Sequence, residues 1–84
     1  MEMDALRCFL AVARCKSFTR AAEEMFISAS TVSRRIAALE NELGKSLFRR
    51  SSVEIELTEA GQRLLPKVEK TLELYDALLG SLDE

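Results

Sequence analysis

Residues 17–57 read SFTRAAEEMFISASTVSRRIAALENELGKSLFRRSSVEIEL, and the spacing of the apolar residues in that stretch decides the fold. Ala21, Ala22 and Met25 fall on one side of a short helix, and Val32, Ile36, Leu39 and Leu43, at spacings of 4, 3 and 4, line one side of a longer one. Phe26-Ile27-Ser28 between them has room only for a tight turn. Ser17 and Ser28 each stand just before a helix, where a hydroxyl can accept from first-turn N–H groups. Gly44 supplies the left-handed residue that ends the second helix. Beyond it, Leu47-Phe48 leads into one strand, Ser51-Ser52-Val53-Glu54 turns, and Ile55 to Leu57 returns with Ile55 and Leu57 inward and Glu56 outward. Two helices joined by a tight turn and followed by a small hairpin are the plan of a winged helix-turn-helix, a fold that reads DNA.

Opposite its apolar stripe, the second of these helices is small, hydroxylated and basic. Ser30, Thr31, Ser33, Arg34 and Arg35 can all hydrogen-bond phosphates or base edges. With Ser28 as cap, the turn from Ala29 to Thr31 is expected to aim backbone N–H groups and the positive end of the helix dipole at phosphate. In the hairpin, Arg49 and Arg50 take alternate strand faces, so one of the two faces DNA. Arg50, beside Ser51, is the expected contact.

Working outward, residues 4–15 form a first helix with Leu6, Phe9, Leu10 and Ala13 as its stripe and Asp4 as its N-cap. After the hairpin, Thr58 caps a long fourth helix with Glu59 in its first turn. Leu65, Val68, Leu72, Tyr75, Leu79 and Leu82 then follow at spacings of 3, 4, 3, 4 and 3, the repeat of a coiled-coil seam. That seam predicts a homodimer through the fourth helix, and Pro66 predicts a lost hydrogen bond and a bend. The expected fold class is mainly α: a winged helix-turn-helix of three helices and a two-stranded wing over residues 1–58, then a linker and dimerisation helix over 59–84. The helix-turn-helix occupies about 18–40 and the wing about 46–57.

Eighty-four residues are enough for one small domain and leave no expected room for an effector domain. Hydrophobic residues at 48% and charged ones at 31% suit a helix-rich globular protein. The net charge of −2 hides an uneven distribution. From Arg14 to Arg50 there are eight basic residues against four acidic ones, a balance of +4, whereas the remainder carries −6. No apolar run approaches a bilayer span, and Met1-Glu2-Met3-Asp4 is acidic where a secretory signal is basic, so a cytoplasmic location without membrane contact is expected. Cys8 and Cys15 lie about 10.5 Å apart along one helix, too far for a disulfide, and are read as free thiols. With no histidine, no CxxC pair, no nucleophile constellation and no glycine-rich phosphate loop, no metal, cofactor or catalytic residue is expected, and the chain is read as a non-enzyme.

The sequence resembles the N-terminal domain of LysR-type transcriptional regulators over nearly its whole length. The likeness rests on Leu6, Phe9 and Val12, Ser17-Phe18-Thr19 with Ala21-Ala22, Val32-Ser33 with Ile36, Leu39-Glu40, Leu43-Gly44, Leu47-Phe48 with Arg50, and Leu57-Thr58 with Gly61. It implies a third helix in the major groove, a wing at the flanking minor groove, and a fourth helix pairing two subunits on an inverted-repeat operator. It also implies base reading by Ala29, Ser30, Ser33 and Arg34, with Ser17 and Thr19 near phosphates and Arg50 at the wing. A small-molecule effector would act only through a further domain absent from this chain. Where many members have Gln-Pro, this chain has Ala29-Ser30, so the amide that reads adenine is missing. Glu54 and Glu56 in the wing would repel phosphate if turned toward DNA. The competing reading is a winged-helix protein–protein interaction module without DNA binding, which would replace the basic Ser33-Arg34-Arg35 face by an apolar or acidic patch.

Overall fold

A computed structural model of the chain describes residues 1–51 and 54–83. Its elements are α1 (Met3–Cys15), α2 (Phe18–Met25), α3 (Ala29–Leu43), β1 (Phe48–Arg50), β2 (Ile55–Leu57), α4 (Glu59–Gly80) and a closing 3₁₀ turn (Ser81–Asp83). This is the expected winged helix-turn-helix followed by a long helix.

Local chemistry sets the boundaries. Ser17 Oγ accepts from Arg20 N–H, Ser28 Oγ from Thr31 N–H and Thr58 Oγ1 from Gly61 N–H, so each cap serves the third residue of its helix. Gly44 ends α3 at φ 69°. α1 ends on Lys16 and α2 on Phe26, both left-handed, with φ of 56° and 58°. The start of α1 differs from expectation. Glu2 takes the N-cap position with no side-chain bond, and Asp4 lies inside the first turn, where its charge favours the dipole.

The core is a single cluster. Phe9, Val12, Cys8, Val32, Ile36 and Leu47 are fully enclosed, with Leu6, Ala21, Ala22, Leu39 and Phe48 beside them. On α1 the buried stripe is Ala5, Leu6, Cys8, Phe9 and Val12, while Leu10 and Ala13 are only partly covered, because α2, α3 and α4 close on α1 from more than one side. On α3, Val32, Ile36 and Leu39 are buried, but Leu43 is exposed, being the last residue before the chain turns away.

β1 and β2 pair antiparallel, Phe48 with Leu57, Arg49 with Glu56 and Arg50 with Ile55. Ile55 and Leu57 face the core and Glu56 faces out, as expected. Ser51 N–H and Oγ both donate to Glu54 C=O, and Glu54 N–H donates back to Ser51 Oγ. Ser52 and Val53, which complete the expected turn, lie outside the described residues.

Two devices join α3 to the wing and the wing to α4. Glu40 Oε2 accepts from Leu47 N–H at 2.7 Å and, at longer range, from Phe48 N–H and Ser46 Oγ, tying the end of α3 to the first strand. Thr58 Oγ1 donates to Ser46 C=O at 2.6 Å and Thr58 N–H to Leu47 C=O at 3.0 Å. Gly61 then passes so close that a Cβ there would strike Leu47 C=O.

α4 runs its 22 residues through Pro66 without interruption. Pro66 is exposed, so the carbonyl it orphans can be hydrated. The seam expected to pair two copies is divided. Val68 and Leu72, at 2% and 4% exposure, belong to this chain's own core, and Leu65 packs against it. The reason is α1, which lies along α4 as far as Asp76 and ties to it through Arg7–Asp76 at 2.6 Å and Arg14–Glu69 at 3.6 Å. Tyr75 is half-buried beneath the Arg7 guanidinium, 5.9 Å from its ring centre. Leu79 and Leu82 remain uncovered, together with Leu74 and Leu78.

Candidate nucleic-acid interface

Three elements carry the candidate residues: the first turn of α2, the first half of α3, and the wing strand β1. At the start of α3, Ser28 Oγ accepts from Thr31 N–H at 3.1 Å and lies 2.8 Å from Thr31 Oγ1 and 3.1 Å from Ser30 Oγ. Three hydroxyls are thus clustered at the positive end of a 15-residue helix. The cap consumes Thr31 N–H, so of the turn expected to offer its N–H groups only Ala29 and Ser30 stay outside the network among the described residues.

Helical geometry sorts the rest of α3. At 100° per residue, Ser30, Arg34, Ala37 and Asn41 lie opposite Val32, Ile36 and Leu39. All four are exposed, and Arg34 makes no ion pair among the described residues. Ser33 is half-buried on the flank of this face. Arg35, grouped with Arg34 in the sequence, flanks the apolar stripe instead. It is half-buried, and its Nη1 reaches Cys8 Sγ at 3.9 Å, so it turns toward α1 and away from the face that carries Arg34.

Ser17 is half-buried with its Oγ spent on the cap of α2, while Thr19 and Arg20 beside it are exposed. On β1 the alternation puts Phe48 inward and Arg49 outward, opposite Glu56. Arg50 is exposed at its tip yet lies over the Phe18 ring, 4.7 Å from the ring centre. That contact brings the wing to the first turn of α2.

Sequence reasoning missed several parts of the candidate interface. Asn41 and Ala37 follow from extending the helical wheel past Arg34. Glu40 counted as a negative charge and a family position, with no sign that it hooks α3 to the wing. Phe26, 93% exposed in a left-handed conformation that bulky residues avoid, projects from the turn between α2 and α3.

Both cysteines are free: Cys8 is buried, and Cys15 Sγ donates to Glu24 Oε2 at 2.7 Å. That bond, with some burial, pushes the Cys15 thiol above its ordinary range. No group of three or more potential metal ligands occurs among the described residues. No described helix is long and apolar enough to cross a membrane.

Comparison with known proteins adds to this geometry. A sequence profile described as bacterial regulatory helix-turn-helix protein, lysR family, matches residues 3–62. The HTH-type transcriptional regulator HdfR of Escherichia coli is 44% identical over 77 residues, which is 92% of this chain and 28% of that protein. The chain therefore spans little more than a quarter of the curated relatives it matches. Among solved structures, a BenM DBD in complex with catB site 1 DNA superposes with a TM-score of 0.94 at 35% identity, covering 99% of this chain and 93% of that one. A mutant OxyR of Corynebacterium glutamicum also reaches 0.94 at 35% identity, covering 98% of this chain and 26% of that one.

Proposed function

The chain belongs to the lysR family of bacterial regulatory helix-turn-helix proteins, and from that premise we propose that it is a sequence-specific double-stranded DNA binder of a transcriptional regulator, with α3 in the major groove. One observation carries the reading. The exposed line of α3 sets Arg34, which makes no ion pair among the described residues, next to a capped cluster of three hydroxyls, while a second arginine, Arg50, is held on the wing over Phe18 of α2. A planar guanidinium can take two acceptors of a guanine edge, and the hydroxyls and free N–H groups of the first turn suit phosphate. Base reading is assigned to Ala29, Ser30, Ser33 and Arg34. Backbone contact is assigned to Ser17, Thr19, Ser28, Thr31, Arg50 and Ser51, with Arg35 at the margin of the face. The fit to a BenM DBD solved with DNA supports the reading of the fold as a DNA binder.

The active species is a homodimer joined through the outer part of α4, by Leu74, Leu78, Leu79 and Leu82 rather than by the buried Val68 and Leu72. A two-fold pair presents two identical recognition helices, so its operator is an inverted repeat with half-sites about one helical turn or a multiple apart. The regulator works in the cytoplasm, and control by a small molecule belongs to a part of the protein outside this chain.

The test is a binding titration of Arg34→Ala on a duplex selected from a random pool and on its scramble. The variant is expected to lose about 1–3 kcal/mol on the selected site and little on the scramble, flattening discrimination at one base pair. Equal losses on both duplexes would show that Arg34 reads no base. Selection that enriches no sequence would remove the proposal.

A further inference from the structure

Phe18 does two jobs with one ring. One side meets Phe48 nearly edge-on, with ring centres 6.1 Å apart and planes at 68°, and Phe48 in turn rests on Phe9 at 5.3 Å. The same ring also lies beneath Arg50. Three aromatic rings, from α1, β1 and α2, therefore run from the enclosed Phe9 to the surface and end under a cation. Strand alternation explains the arrangement: Phe48 and Arg50 share a face of β1, so once Phe48 is buried, Arg50 leaves on the side where Phe18 stands. Arg49 leaves on the other side, opposite Glu56.

We propose that Phe18 is a positioning residue for DNA binding, holding the Arg50 guanidinium over the first turn of α2 so that this turn and the wing arginine meet the DNA backbone as one unit. The proposal rests on the reading of the domain as a DNA binder. A guanidinium stacked on a ring spends its face and keeps its edge of N–H donors for phosphate or sugar oxygens. A side chain already held in place also gives up less freedom on binding than a free one. Arg50 makes no ion pair among the described residues, so none of the described carboxylates competes for that edge. Phe18 itself is anchored by Phe48, and the Ser17 cap fixes the backbone on which it starts.

Two measurements test this, one of them without DNA. A ring 4.7 Å from the guanidinium should shift the Arg50 side-chain protons upfield in the NMR spectrum of the free domain. Phe18→Leu should remove the shift and Phe18→Tyr should keep it. In titrations of a selected duplex, Phe18→Leu should weaken binding by about 2- to 5-fold, the effect of an exposed cation–π contact. Phe18→Tyr should restore it. Phe18→Leu on top of Arg50→Ala should add nothing, whereas on top of Arg49→Ala the two factors should multiply.

Unshifted Arg50 protons in the unaltered chain would overturn the stack. A double variant of Phe18 and Arg50 that loses both factors in full would overturn the positioning role, since a structural contribution alone would then explain the loss. A chain that binds no duplex would defeat the DNA reading and the role in binding with it, while shifted Arg50 protons would separate that failure from a failure of the stack.

Discussion

The inner part of α4 and its outer part, with the turn that closes it, both carry apolar residues about a helical turn apart, in opposite surroundings. Val68 and Leu72 are 2% and 4% exposed against α1, whereas Leu74, Leu78 and Leu82 are 61%, 63% and 82% exposed. A repeat of 3 and 4 says that a helix has a partner along that side. It does not say whether the partner is in the same chain. Here α1 takes the inner half and leaves the outer half bare, and the bare side is rotated: Leu74 and Leu78 lie off the original seam. Under the proposed homodimer, this apolar patch is the interface.

Leu72→Asp should therefore act as a folding mutation and not as a dimerisation mutation. It places a carboxylate among Leu10, Ala11 and other covered residues, and a buried, unpaired charge costs about 3–5 kcal/mol, comparable to much of a small domain's stability. Thermal melts followed by circular dichroism should show the transition lost or moved far down at every protein concentration. A variant that melts normally and sediments as a monomer would place Leu72 in an interface between chains and break the contrast.

Leu78→Asp tests the other half. At concentrations where the unaltered chain is monomeric, its melt should match the unaltered one, because Leu78 touches little of the fold. At higher concentrations the unaltered chain should gain stability by self-association and the variant should not. Sedimentation equilibrium gives the same answer directly, as a loss of dimer. A dimer that survives Leu78→Asp would move the interface off the outer half.

How far the sequence reveals this molecule follows the range of the forces involved. Ser17, Ser28 and Thr58 cap their helices, and Gly44 ends α3, as expected, because each acts on a neighbour within four residues. The outward position of Arg34 is equally local, since α3 needs only its own periodicity to present it. Arg35 fails the same rule by one residue: it flanks the apolar stripe, and only the presence of α1 decides that it turns to Cys8. The Phe18–Arg50 stack, the hook made by Glu40 and the bond from Cys15 to Glu24 each cross from one element to another, so they depend on how the elements dock and not on the periodicity within any one of them. Nothing in residue spacing signals them. Gly61 matched a family position without an evident reason, which the close approach of Leu47 C=O supplies.

The smallest expected effect lies at the boundary between the halves. Asp76 accepts from Arg7 at 2.6 Å, one turn past Leu72, and the same guanidinium covers Tyr75. This hydrogen bond and the nearby charge raise Arg7 above its already high ordinary range, so the arginine stays charged at any pH at which the domain folds. Both side chains are substantially exposed, at 36% and 56%, so solvent screens the pair and its contribution is about 0.2–1 kcal/mol. Asp76→Asn keeps an acceptor and removes the charge. It should lower the melting temperature by about 1–8 °C at low salt, and the difference should shrink in molar salt, where exposed charges are screened within a few ångströms. No change at low salt would mean that the Arg7–Asp76 pair adds nothing to the packing of Val68 and Leu72. A loss that persists in high salt would instead trace the effect to packing around Tyr75, extending the covered half of α4 by a further turn.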